Sequence, residues 1–160
     1  MANISAEVKA LSSTMIETRR HFHRTPELGF QEVRTSGVVA KRLEDLGYTV
    51  RRGLGKTGVT GFMKGGKPGK TVLLRADMDA LPIQEQVDVA WKSQHPGVMH
   101  ACGHDAHTAM LLSVAEILAK EVPQLSGNLF LVFQPAEELL IGAPAMLKDG
   151  ALEGVKADAG

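Results

Sequence analysis

The chain has 160 residues, in which 18 Lys plus Arg are balanced by 18 Asp plus Glu. That length suits a single domain with one core, residues 1–160, and the charge balance offers no handle for nucleic acid or an anionic membrane. A single cysteine excludes an intrachain disulfide framework and fits a reducing, cytoplasmic setting; no apolar run reaches transmembrane length, and the N-terminus lacks the apolar core of a signal peptide.

In chain order, the spacing of Val8, Leu11, Met15 and Phe22 predicts a helix over 5–24, stopped at Thr25-Pro26 because a residue before proline avoids the helical region. Its basic run, Arg19, Arg20, His21, His23 and Arg24, reads as a solvated face or a contact for a substrate anion. A second helix is predicted over 31–46 from Val33, Ala40, Leu43 and Leu46, with Gly47 as its C-terminal stop. The period then shortens. Residues 48–50, 58–63 and 71–74 read as strands, and Gly65-Gly66-Lys67-Pro68-Gly69-Lys70 reads as a hairpin-like turn between the last two. Asp77 and Asp79 follow an apolar strand, either as caps of a turn or as groups placed for chemistry where ligands gather at strand ends. Residues 83–99 show no period and read as loop.

His100-Ala101-Cys102-Gly103-His104-Asp105-Ala106-His107 packs three histidines, an aspartate and the sole cysteine into eight residues. Thiolate and imidazole are preferred ligands of zinc-like ions, and Cys102 and His104, two apart, can point the same way. A polar turn ahead of a helix is the alternative, and the density of ligands favours a metal site. Met110, Val114, Ile117 and Leu118 then mark a helix with Asp105 as expected N-cap, ended at Val122-Pro123. The apolar run 128–133 reads as a strand buried on both faces, and Glu137-Glu138 emerges just beyond it. Adjacent carboxylates at the end of a buried strand call for a compensating charge, although an exposed acidic turn is a common setting for such a pair. Together these residues describe a hydrolytic metal site in which one glutamate faces the metal and its neighbour the water.

Four motifs in order carry a resemblance over nearly the whole chain: His23-Arg24-Thr25-Pro26-Glu27-Leu28-Gly29-Phe30-Gln31-Glu32, Leu74-Arg75-Ala76-Asp77-Met78-Asp79-Ala80-Leu81-Pro82, Met99 to Thr108, and Phe133-Gln134-Pro135-Ala136-Glu137-Glu138. The chain resembles the N-terminal part of the catalytic domain of the metal-dependent amidohydrolases and peptidases that include hippurate hydrolase, aminoacylase, carboxypeptidase G-like enzymes and auxin-conjugate hydrolases, in the branch with a cysteine ligand. The resemblance implies Cys102, His104 and Glu138 as metal ligands, Glu137 as general base, and Asp79 as support for a ligand. Asp77 stands where many relatives carry a metal-binding histidine, and His107 receives no role. The implied reaction is hydrolysis of the amide bond of N-acyl amino acids or small peptides with one or two divalent ions, zinc, manganese, cobalt or nickel.

The implied fold is α/β, a mixed β-sheet flanked by helices as in metallo-aminopeptidase-like catalytic domains. Helix–strand alternation independently points to that class, with a parallel pair around residues 71–133. Two departures stand out. Relatives commonly continue after the glutamate pair with glycines, where this chain has Leu139-Leu140-Ile141-Gly142, expected to stiffen or narrow the segment. The sequence also stops before the later histidine ligands and the lid or dimerisation domain, so the expectation is a truncated catalytic domain that self-associates, with a non-catalytic remnant that binds metal weakly or pairs with another chain as the alternative.

Overall fold

A computed structural model describes residues 4–160. Its elements are α1 (Ala6–Arg24), α2 (Val33–Asp45), β1 (Thr49–Leu54), β2 (Gly58–Lys64), β3 (Lys67–Asp77), α3 (His104–Lys120), β4 (Ser126–Gln134) and α4 (Gly142–Lys148). The four strands form one mixed sheet in the order β1-β2-β4-β3. β1/β2 and β2/β4 are antiparallel, whereas β3/β4 is parallel, with α3 as the crossover between them.

Alternation along β4 sorts the two faces of the sheet. Leu129, Leu131 and Phe133 point into the main core, where they meet Phe22 of α1, Val39, Ala40 and Leu43 of α2, and Leu112 and Ala115 of α3. Val132 points the other way, into a small cluster of Leu54, Met146 and Ala151 beneath α4. Both faces of β4 are thus covered, as its unbroken apolar run demands. Tyr48 closes the main core, its hydroxyl donating to the Ala115 carbonyl at 3.1 Å.

Three expectations are corrected. The segment Gly65–Lys70 does not fold β2 back onto β3, because β4 lies between them. Its backbone instead bonds to the turn that leads into β4: the Gly65 N–H donates to the Gly127 carbonyl, that of Gly66 to Val122 and that of Lys67 to Leu125. The basic run at the end of α1 is not simply solvated, since Phe22 and His23 are buried and Arg19 pairs with Asp105. Asp105 is not the cap of α3. Gly103, in the left-handed region at φ 89°, starts the helix two residues earlier, and Asp105 turns inward from its first turn.

Candidate metal centre

Register brings the chemistry to one end of the sheet. Asp77, the last residue of β3, pairs with Gln134, the last of β4, so the segments leaving both strands start side by side. Residues 78–79 and 135–138 therefore cross the same carboxyl edge, where α/β sheets gather ligands. The N-terminus of α3 arrives there as well, tied down by the Thr108 hydroxyl donating to the Asp77 carbonyl at 2.8 Å.

His104 is the hub. Its Nδ1 lies 2.9 Å from the Asp79 carbonyl and 3.3 Å from Asp79 Oδ1, both acceptors, so Nδ1 carries the hydrogen and Nε2 the lone pair. That Nε2 faces Asp77 Oδ1 at 3.6 Å, Glu137 Oε2 at 3.7 Å and Glu138 Oε1 at 3.8 Å. Burial opposes charge on His104, but the hydrogen bond to Asp79 and the charges of Asp77 and Asp79 outweigh it and raise its pKa. Asp79 is fully buried. Desolvation pushes its carboxyl up, yet His104 and the backbone N–H groups of Glu138 and Glu137 hold it below the usual range.

Ligand atoms of Cys102, His104 and Glu138 lie within 4.8 Å of one another. Metal bonds of about 2.0–2.3 Å to such ligands require them to draw in by at most an ångström or so. Two observations fit a cation here. Glu138 Oε1 is buried with no hydrogen-bond partner among the described residues, and three carboxylates converge on one ring nitrogen, a concentration of negative charge that calls for compensation. The Glu138 carboxylate beside Cys102 is also the main reason its thiol is held above the ordinary range, an effect that a bound cation reverses.

The glutamate pair sits on a loop pinned from beneath. Buried Glu32 accepts the Ala136 N–H at 2.8 Å and the Thr57 hydroxyl at 2.5 Å, and desolvation raises its pKa despite these bonds. Ala136 adopts φ 48°, and the loop closes where the Gly142 N–H donates to the Ala136 carbonyl. A Cβ at Gly142 would come within 1.6 Å of the Pro135 carbonyl oxygen, so only glycine fits that neck. Leu139, Leu140 and Ile141 are 53, 82 and 50 % exposed, so they lie on the surface of the loop and are not packed into its interior.

The structure brings Asp79, Cys102, His104, Glu137 and Glu138 together. It adds His107, whose Nδ1 donates to Asp77 Oδ1 at 2.7 Å and whose ring stacks beside that of His104. Spacing held the signal, since a residue three beyond His104 on a helix shares its face. It also adds a buried network behind the centre, in which His23 bonds Asp105 through Nδ1 at 2.7 Å and Glu85 through Nε2 at 3.1 Å.

The fold is an α/β unit with Cys, His and Glu side chains clustered at the carboxyl edge of its sheet, a group able to hold a metal ion. The model of the peptidase family M20/M25/M40 matches residues 73–160, more than half the chain, and the chain belongs to that family. Thermostable carboxypeptidase 2 of Saccharolobus solfataricus is 51 % identical over 152 residues, 93 % of this chain and 39 % of its own length. The hippurate hydrolase of Campylobacter jejuni is 47 % identical over 156 residues, 98 % of this chain and 40 % of its own. The crystal structure of the Bacillus subtilis YXEP protein, a dinuclear metal-binding peptidase of the M20 family, superposes with a TM-score of 0.86 at 42 % identity, covering 92 % of this chain and 42 % of that one. The chain spans about two fifths of the length of these curated relatives. Among the described residues, no helix is long and apolar enough to cross a membrane.

Proposed function

We propose that residues 1–160 form one metallohydrolase unit that supplies the metal-binding and general-base residues for cleaving the amide bond of N-acyl amino acids or short peptides. The carrying observation is the convergence of Cys102, His104 and Glu138 around the unpartnered Glu138 Oε1, with a second carboxylate, Glu137, beside it. Cys102, His104 and Glu138 would hold a divalent ion, with zinc, manganese, cobalt and nickel all compatible with a mixed S/N/O set. When bound, such an ion supplies Lewis acidity. Glu137, the more exposed of the pair, takes the proton of the attacking water and returns it to the leaving amine. Asp79 fixes the tautomer of His104 and, through Oδ2, accepts the Glu138 N–H at 3.0 Å, so it positions two ligands at once.

The chain is first dialysed against zinc or manganese, bound metal is counted, and release of the amino acid from N-acyl substrates is followed. Glu137→Gln is expected to keep its metal and lose activity by a factor of about 100 or more. Equal turnover in that variant would remove Glu137 from the mechanism, and metal binding no higher than background would remove the reading altogether.

Self-association is part of the proposal, in a cytoplasmic setting. Leu74, Met110, Leu111 and Val114, together with Arg75, Asp77 and His107, line a groove of about 360 Å3 along β3 and α3, and Met110 is 46 % exposed, partly apolar surface that a second copy would cover. A dimer or larger species by light scattering is expected; a monodisperse monomer would count against it.

A further inference from the structure

The packing of α1 on α3 leaves a hollow that the metal centre does not use. Ala106 and Ala109, three apart on α3, share a face and carry no side chain long enough to fill the space before Met15 and Ile16 of α1. The result is a cavity of about 280 Å3 with mostly apolar walls, close to the lower bound of about 300 Å3 for small-molecule sites. Ala106 lies about 200° around the helix from His104, so the hollow opens on the far side of α3 from that metal ligand.

Trp91 forms another wall. It comes from a segment without secondary structure, yet that segment is tied down: the Gln94 N–H donates to the Arg24 carbonyl at 2.9 Å and the Ser93 N–H to buried Glu85 at 2.7 Å. The Arg20 guanidinium lies over the indole ring, 4.0 Å from its centroid. Arg19 is committed to buried Asp105 at 2.7 Å, so Arg20 carries the charge that a ligand meets. Its own partner, Glu17 at 3.0 Å, is 63 % exposed, and a surface pair of that kind contributes little and can be given up for a better-placed carboxylate. Arginine presents a planar fork of N–H groups matched to a carboxylate, and the indole sets flat apolar surface beside it. We propose that this cavity binds a small aromatic carboxylate, its ring against Trp91 and the two alanines and its carboxylate on Arg20 in place of Glu17. The site goes beyond the proposed function and does not depend on it.

Trp91 is the sole tryptophan of the chain, so its indole N–H gives a single resonance that reports this cavity alone. The chain is titrated with naphthoate, with binding measured by equilibrium dialysis and the Trp91 resonance followed in proton–nitrogen correlation spectra. Wild type is expected to bind one equivalent, with the resonance moving in step. Arg20→Gln should weaken binding roughly 10- to 100-fold, as loss of a charged hydrogen-bond partner does, and Ile16→Glu, which sets a negative charge on the wall, should reduce it to background. Ile16 is 45 % exposed and the Arg20 side chain reaches the surface, and circular dichroism verifies both folds. The neutral amide, naphthamide, should bind at least about 10-fold less tightly than the acid. The proposal is overturned if the Trp91 resonance stays still at about 5 mM naphthoate, several times the ~1 mM dissociation constant that a ligand of this size reaches even at low efficiency. It is equally overturned if either variant binds as tightly as wild type, or if the amide matches the acid, which would leave a merely apolar hollow.

Discussion

Two buried histidines, His23 and His100, lie with ring centroids 6.4 Å apart and are 3 and 4 % exposed. His23 has a carboxylate at each ring nitrogen, Asp105 at Nδ1 and Glu85 at Nε2. His100 has no protein partner at either nitrogen among the described residues, and burial drives its pKa down to about 4 even though Asp105 pulls the other way. Equal burial comes with opposite surroundings. What differs is whether a charged partner reaches the ring from elsewhere in the chain, and for His23 two carboxylates arrive from 62 and 82 residues away. The same logic governs the neighbouring centre, where the countercharge to three carboxylates would be a metal ion.

The sharpest way to break this contrast is to remove the countercharge. Asp105→Ala leaves His23 with one carboxylate and Arg19 without its partner, and is expected to cost about 3–5 kcal/mol in urea denaturation, as breaking buried ion pairs does. A loss below about 1 kcal/mol would show that the network contributes little.

Tyr48 supplies the intermediate case, a buried group with one neutral partner. Tyr48→Phe should cost about 1 kcal/mol at neutral pH for the hydrogen bond to Ala115. Burial pushes the Tyr48 hydroxyl up from 10.0 to about 12. A raised pKa of this kind contributes stability below the unfolded value that disappears as pH rises through the folded one. Wild type should therefore lose roughly 2 to 3 kcal/mol between about pH 10 and 12 that Tyr48→Phe does not lose. Parallel alkaline profiles for the two proteins would contradict it.

The smallest effect belongs to His100. His100→Leu removes two unpartnered polar atoms and leaves no acceptor or donor stranded, so its stability should lie within about 1 kcal/mol of wild type or above it. A larger loss would mean that the ring has a partner after all.

How far the sequence discloses all this depends on the range of the interaction. The helix beginning near His104 and the strand ending at Gln134 were legible because their periods are local, and the parallel pairing of β3 with β4 followed from the helix between them. The motif residues Cys102, His104, Glu137 and Glu138 were legible as candidates because chemistry-bearing types are dense there. The sheet order was not, since Gly65–Lys70 has the composition of a hairpin turn and nothing local announces that β4 inserts beside it. Nor was the anchoring of the glutamate loop by Glu32, a carboxylate 104 residues from the Ala136 N–H it accepts. Asp105 had the look of a cap because capping is the local role for an aspartate at a helix start, and a distant histidine claimed it.

The neck at Gly142 has a consequence for timing. With the loop from Pro135 closed on itself and Ala136 held from below, Glu137 and Glu138 are presented by a single small ring of backbone and not by a free segment. Much of the entropy of placing two charged side chains has been surrendered during folding, so less remains to be lost when a ligand arrives. Any side chain at position 142 would force that ring open, and the two glutamates would then have to find each other's geometry anew on every encounter.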